Sequence, residues 1–198
     1  MPRVTEQYIQ RRRQEILEAA GRCFARDGFH ATSMDDVIDA AGVSTSVFYR
    51  WFRGKDELVI ATVTEVLRGM VVVLDDILEV DPPPPLADAV ERVLAATLTR
   101  MTRDGHDTTA LAVQVWTEAL RNPEIHQLIA HCYEQLRDRL AELIRRHQAL
   151  GAIPAEVDPR MVARPLFSLF PGFVVQRLLL GPEDPKLYAQ AAQALLRA

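Results

Sequence analysis

Residues 33–55, SMDDVIDAAGVSTSVFYRWFRGK, decide the fold, because they are typical of two short helices joined by a glycine turn. Ser33 and Asp36 form an N-terminal capping pattern, and apolar residues then recur at helical spacing until Gly42 interrupts the first helix. A second apolar pattern continues to Gly54, which predicts another short helix. This spacing lets the two helices cross, so that the second can enter the major groove of DNA.

The second helix of this unit carries polar side chains on the face that we expect to be exposed. Ser44 is in position to cap it, and Phe48 and Phe52 are assigned to the core. The remaining side chains are hydroxyls, a phenol and a guanidinium, which suit phosphates and base edges; they are Thr45, Ser46, Tyr49 and Arg50. Spacing alone also fits a plain helix-packing module, so the exposed face decides in favour of DNA.

Helical periodicity extends over the whole chain, and no strand pattern competes with it. The first helix is predicted over residues 6–27, and a long fourth helix runs from Lys55 to the proline run 82–85, which cannot continue a helix. Further helices are predicted at 86–103, 108–120, 123–149, 158–180 and 184–197. We therefore predict an all-α protein, with a helix-turn-helix DNA-binding domain at residues 1–54 and a helical ligand-binding and dimerisation domain at 55–198.

Composition excludes several classes of protein. The 198 residues are 48% hydrophobic and 25% charged, as in ordinary globular proteins. The N-terminal residues lack the apolar centre of a secretory signal, and no segment approaches the roughly 18 consecutive apolar residues of a membrane span. The two cysteines, Cys23 and Cys132, are far apart, which suits a reducing compartment. We expect a cytoplasmic protein with no membrane partner.

The net charge of −4 at first argues against a nucleic-acid partner. Its distribution matters more, because basic residues are concentrated in two stretches of an otherwise acidic chain. The first holds four arginines at positions 3, 11, 12 and 13, and the second, from Val43 to Lys55, holds Arg50, Arg53 and Lys55 with no acidic residue. If both stretches share one face, that face can bind DNA while the acidic remainder limits indiscriminate binding.

The motifs of residues 12–60 resemble the DNA-binding region of the TetR family of regulators. They occur in the family's order: I-L-E-A-A at 16–20, T-S-M-D-D-V at 32–37, A-G-V-S at 41–44, and F-Y-x-x-F-x-x-K-x-x-L at 48–58. The resemblance implies a dimeric regulator, usually a repressor, that binds a near-palindromic double-stranded DNA operator and is released by a small-molecule effector. It implies no cofactor and no catalytic activity.

Family positions carried over onto this chain give a set of candidate DNA contacts. Thr32 and Ser33, at the start of the second helix, would meet phosphates while also capping that helix. The resemblance places Tyr49 and Lys55 at the DNA backbone, with Arg50 as a flanking contact. It places Thr45, Ser46 and Val47 nearest the base edges, although many family members have glycine in place of Ser46.

The resemblance also implies a ligand pocket and a dimer interface beyond the proline run. Residues 159–180 are largely apolar with Pro165 and Pro171 inside a helical pattern, so we expect a kinked helix that opens space. Large side chains there and elsewhere are the candidates for an apolar, lipophilic site: Met101, Trp116, Tyr133, Phe167, Phe170 and Phe173. The last helix has small apolar residues on one face and is expected to pair with the preceding helix of a second subunit.

Three other functions remain open at this point. An enzyme is disfavoured, because H-E-x-x-H, P-loop and G-x-S-x-G patterns are absent from the sequence. A metal or redox sensor would combine Cys132 with histidines of the C-terminal part, and a helical module that binds a partner protein would never touch DNA. The polarity of the pocket is also open, because Gln114, Glu118, Gln176 and Arg177 can point inward or outward.

Overall fold

The computed structural model describes residues 6–102 and 105–197, with side chains from 8 to 102 and from 105 to 194. Arg3 of the first basic stretch lies outside the described residues. The described residues form helices and connecting loops, in the chain order α1 Glu6–Asp27, α2 Met34–Ala41, α3 Thr45–Phe48, α4 Lys55–Leu78, α5 Leu86–Met101, α6 Ala110–Ala119, α7 Pro123–Ala149, α8 Pro159–Leu180 and α9 Pro185–Arg197.

The expected helix-turn-helix is present between α2 and α3. The capping box at α2 is confirmed: the amide of Asp36 donates to Ser33 Oγ at 3.1 Å, and the amide of Ser33 donates to Asp36 Oδ2 at 2.7 Å. Gly42 ends α2 with a φ of 61°, in the left-handed region that glycine adopts without strain.

The third helix is shorter than the sequence pattern predicts. It ends at Phe48 and continues as a turn, in which the amides of Trp51 and Phe52 both donate to the Phe48 carbonyl. Ser44 occupies the N-cap position but makes no side-chain capping bond, because its hydroxyl lies 3.2 Å from that of Ser46. An isolated helix of this length is not stable, so α3 depends on its packing against the core.

Two hydrophobic clusters form the interior, and α4 contributes to both of them. Leu58 and Val63, in its first half, pack with α1 to α3 and with parts of α6 and α7. Leu74 and Ile77, near its end, pack with α5, α7, α8 and α9. The fourth helix therefore connects the C-terminal helices to the N-terminal ones, as does α7, which also contributes to both clusters.

The C-terminal end of α4 is fastened to α7 by two arginines. Arg139 binds both carboxylate oxygens of Asp75, with distances of 2.6 and 3.1 Å. Arg146 donates to the carbonyls of Leu78 and Val80, which are acceptors left free at the end of the helix. These contacts attach the proline-run end of α4 to α7.

The proline run separates α4 from α5, as predicted, and Pro165 and Pro171 both lie inside α8. The expected kink of α8 stays a prediction. Among the described residues, no helix combines the length and hydropathy needed to cross a bilayer.

Replacing Ser33 with Ala should lower the free energy of unfolding by about 1 kcal/mol, because the α2 N-terminus loses its side-chain acceptor. Separately, the hydrogen bonds that Ser33 donates to the Asp36 carboxylate lower the pKa of Asp36, so the stabilisation from that carboxylate is present above the ordinary aspartate pKa and is lost as pH falls through the lower, folded value. Urea denaturation at neutral pH measures the change. Ser44→Ala is the matched control, since that serine makes no capping bond; equal losses in both variants would contradict the assignment.

Candidate DNA-binding surface and ligand cavity

The turn and first residues of α3 form an exposed polar surface. Thr45, Ser46 and Arg50 are exposed, and Val47 is half-buried beside them. Tyr49 is 46% exposed, while its ring edge packs on the fully buried Phe48. The buried phenylalanine fixes the direction of the helix, so the residues on either side of it face solvent together. This is the side-chain set that suits phosphates and base edges.

One arginine of the first basic stretch, Arg13, lies next to the second stretch, whereas Arg11 and Arg12 form ion pairs with Glu15. The guanidinium of Arg13 lies 5.7 Å from the centre of the Phe52 ring, which joins α1 to the turn that follows α3. Arg50 makes no ion pair within the described residues, so its charge is available to an anion. Lys55 Nζ donates to the backbone carbonyl of His30 at 2.8 Å, which holds the first turn of α4 against the α1–α2 link.

Thr32 is buried in the DNA-free chain. Its side chain is 1% exposed, and its hydroxyl donates to the carbonyls of Gly28 and Cys23, which closes the C-terminal end of α1. The phosphate contact expected at Thr32 stays a prediction. Ser33 is exposed, but Asp36 already engages its hydroxyl. The sequence does not distinguish a phosphate contact from a structural hydrogen bond at Thr32, because a threonine before a capping serine fits both roles.

All of the six side chains predicted for a ligand pocket border one apolar cavity of about 70 Å³. Its described walls also include residues that the sequence did not distinguish from ordinary core, namely Val63, Val66, Leu67, Met70, Leu94, Thr97, Thr108, Leu111, Ala112, Val115, Pro171 and Val174. None of the described wall residues is charged. This volume is roughly half the ~150 Å³ of an apolar cavity that admits benzene, so a larger ligand has to displace wall side chains.

The polar residues whose direction was open point away from this cavity. Glu118 faces His30, with 3.4 Å between the carboxylate and the ring nitrogen, and Arg177 binds Asp107 at 2.9 Å. Gln114 lies beside Gly28 at the end of α1. Gln176 is likewise not among the described wall residues. The cavity is therefore apolar on its described surface.

A second, more polar pocket of about 150 Å³ shares part of its wall with the cavity. The shared residues are Val66, Met70, Thr97, Met101, Thr108 and Leu111. Charged side chains surround the rest of it, with Glu18 and Arg22 from α1 and Arg100 from α5. A Cβ at Gly69 would stand 2.8 Å from the guanidinium of Arg100, which is an exposed and flexible side chain that can move aside.

The helix α6 contacts both the cavity and the DNA-binding region. Val115 and Trp116 face the cavity. Glu118, on the same helix, reaches His30 in the α1–α2 link, and Gln114 lies against Gly28. A ligand that presses on α6 therefore acts directly on the segment that leads into α2.

One face of α8 is largely apolar and exposed. At helical spacing it presents Met161, Pro165, Ser168, Val175 and Leu179, with the half-buried Gly172 between Ser168 and Val175. We call this face the α8 stripe. Met161 and Leu179 are 69% and 77% exposed. On α9, Leu187 and the small residues Ala191 and Ala194 are exposed in the same pattern. Exposed apolar surface of this extent on two neighbouring helices is typical of a protein interface.

The sensor alternative finds no support in the described residues. No group of three or more histidine, cysteine or acidic side chains there is arranged to hold a metal ion. Burial raises the pKa of both the Cys23 and the Cys132 thiol, which lowers the thiolate population that redox chemistry needs.

Comparison with known proteins agrees with this geometry. Residues 16–62 match the model of bacterial regulatory proteins of the tetR family, and residues 84–198, more than half of the chain, match that of the BetI-type transcriptional repressor C-terminal domain. The chain belongs to the TetR family of transcriptional regulators. The first match spans the helix-turn-helix, and the second spans α5 to α9.

Individual TetR-family proteins are similar over nearly the full length. The HTH-type transcriptional regulator UidR of Escherichia coli K12 is 24% identical over 187 residues, covering 92% of this chain and 88% of UidR. The structure of Salmonella enterica GusR superposes with a TM-score of 0.72 and 26% identity, with complete coverage of both chains. Bacillus subtilis FadR in complex with stearoyl-CoA has a TM-score of 0.73 at 19% identity, covering 93% and 97% of the two chains, and shows the shared fold.

Proposed function

We propose that this TetR-family regulator represses transcription by binding a near-palindromic operator as a homodimer in the cytoplasm, and that a small lipophilic effector releases it. Residues 1–54 serve as the DNA-binding domain and 55–198 as the ligand-binding and dimerisation domain. The BetI-type repressor match supports repression. The protein acts by binding and carries no catalytic activity.

The DNA contacts fall into two groups. Tyr49, Arg50 and Lys55, with Ser33, contact the phosphate backbone, and Thr45, Ser46 and Val47 approach the base edges. The exposure of the α3 side chains supports this division. Arg13, which lies over the Phe52 ring, extends the basic surface beyond α3, the recognition helix.

The α8 stripe and the exposed face of α9 form the dimer interface. Paired with the same surface of a second copy, the two helices make a four-helix arrangement that removes the exposed leucine and methionine side chains from water. The two α3 helices of a dimer must lie roughly 34–36 Å apart to enter successive major grooves. The dimer interface therefore determines this separation.

One observation carries the regulatory part of the proposal: the cavity walls include α4 and α6, and both helices also pack on α1. Because the empty cavity is small, a ligand has to move these helices apart. With the end of α4 fastened at Asp75, the displacement appears at its N-terminal end, beside the recognition helix. An effector must prefer the released conformation by about 1–3 kcal/mol to change DNA affinity 5- to 150-fold.

Tyr49→Ala should weaken operator binding by about tenfold or more, because it removes a phosphate contact and an exposed ring from the recognition surface. Fluorescence anisotropy with DNA from upstream of the protein's own gene, against scrambled DNA and across a salt series, measures the loss. Tyr49→Phe keeps the ring and removes only the hydroxyl, so it measures how much of the operator affinity depends on the hydroxyl. Parent-like binding by Tyr49→Ala, with the same salt slope, would contradict the placement of α3 on DNA.

A further inference from the structure

Among the described wall residues of the apolar cavity, one hydroxyl has no acceptor for its proton. These walls carry four polar side chains, those of Thr97, Thr108, Trp116 and Tyr133. Both threonine hydroxyls donate to backbone carbonyls, Thr97 to Val93 at 2.7 Å and Thr108 to Met101 at 3.0 Å. They are therefore engaged within the protein and offer a ligand no donor.

The other two polar side chains form a pair. The indole N–H of Trp116 donates to the phenol oxygen of Tyr133 at 2.6 Å. This bond uses the only donor of the indole and one acceptor site of the phenol, and it leaves the Tyr133 O–H proton free. The Tyr133 ring packs on Phe167 with 4.8 Å between the ring centres, which fixes its position in the wall.

Tyr133 stays in the form that can donate. Burial raises the pKa of its phenol, an effect that outweighs the lowering by the Trp116 hydrogen bond. A phenol that is protonated across the physiological range is a donor and not an anion. An unused donor in an apolar wall costs free energy that a ligand acceptor can recover.

We propose that the effector is an uncharged, largely apolar molecule with one acceptor oxygen, such as a ketone, ester or ether, and that this oxygen accepts the Tyr133 O–H. The inference rests on the proposed function of the cavity as the effector site. Trp116 is a positioning residue, since it occupies one side of the phenol oxygen and leaves the proton for the ligand.

The charges around the cavity exclude ionised ligands from it. No described wall residue is cationic or anionic, and Arg177, one turn beyond Phe173 and Val174 on α8, is held by Asp107. A carboxylate or ammonium group placed inside would be desolvated without a partner, which costs several kcal/mol even after relaxation.

Matched ligand pairs test the role of the oxygen. Cyclic ketones from cyclohexanone to cyclododecanone are titrated by calorimetry beside the corresponding methylenecycloalkanes, in which a CH₂ group replaces the carbonyl oxygen. Relative to the parent protein, Tyr133→Phe should weaken binding of the best ketone about three- to tenfold and change binding of its methylene partner less than about twofold. In a Trp51→Phe background, emission from the remaining tryptophan, Trp116, reports whether the ligand occupies this cavity. Tyr188→Phe is the matched control, because that phenol on α9 is not among the described wall residues.

The outcomes separate the inference from the proposed function. Absence of binding by every ketone, or equal weakening of ketone and methylene compound by Tyr133→Phe, overturns the inference, and so does a preference for carboxylates. A ketone that binds with the stated selectivity but leaves operator affinity unchanged supports this ligand chemistry and overturns the regulatory role of the cavity. Operator release by ligands whose affinity Tyr133→Phe does not alter overturns the inference alone.

Discussion

Replacing Val175 with Glu should convert the dimer into a monomer and weaken operator binding by more than about a hundredfold. Val175 lies within the α8 stripe and is 38% exposed in the isolated chain. In a symmetric interface each copy would bury one such glutamate against the apolar surface of its partner, which costs several kcal/mol. In a dimer, binding of one subunit to its half-site raises the effective concentration of the other subunit at the second half-site, and a monomer loses this gain.

Sedimentation equilibrium and operator anisotropy measure the two effects. Val72→Glu is the matched control, since Val72 is 44% exposed on α4, outside the proposed interface. It should leave both the mass and the operator affinity close to those of the parent. A dimeric Val175→Glu protein would contradict the α8 and α9 interface, whereas a monomer that binds the operator as tightly as the parent would contradict the need for dimerisation.

Phe48→Ala should lower the free energy of unfolding by about 3–5 kcal/mol, the range for deleting a fully buried aromatic side chain. Phe48 is 0% exposed, and its ring contacts those of Phe52 and Tyr49. Because α3 has only four residues, this side chain holds the recognition helix on the core, and DNA binding should be lost with it. Urea denaturation followed by circular dichroism measures the change.

Tyr49→Ala provides the comparison for this variant. Its side chain is partly in solvent, so we expect a stability loss below about 1 kcal/mol together with loss of DNA affinity. Comparing the Phe48 and Tyr49 variants thus separates a loss of stability from a loss of DNA affinity at unchanged stability. Equal destabilisation at both would mean that Tyr49 is a packing residue, and the assignment of the recognition face would be wrong.

Most of the fold follows from local sequence patterns. The capping box at Ser33, the glycine at 42 and the proline run 82–85 act within a few residues of themselves, so the helices they limit can be read from the chain. The order of motifs in residues 12–60 likewise indicates the TetR family without reference to any tertiary contact. The third helix was overestimated, because its apolar spacing continues through a turn that still packs Phe52 inward.

The sequence by itself determined an all-helical chain, a helix-turn-helix and a set of large apolar side chains in the C-terminal part, since these depend on periodicity and on nearby residues. Only the tertiary structure decided that Thr32 is buried, that Gln114 and Glu118 face the α1 region, and that the Trp116 N–H leaves the Tyr133 proton free. Each of these depends on which helix faces which, because the partners lie on different helices or loops and helix periodicity leaves the direction of packing undetermined.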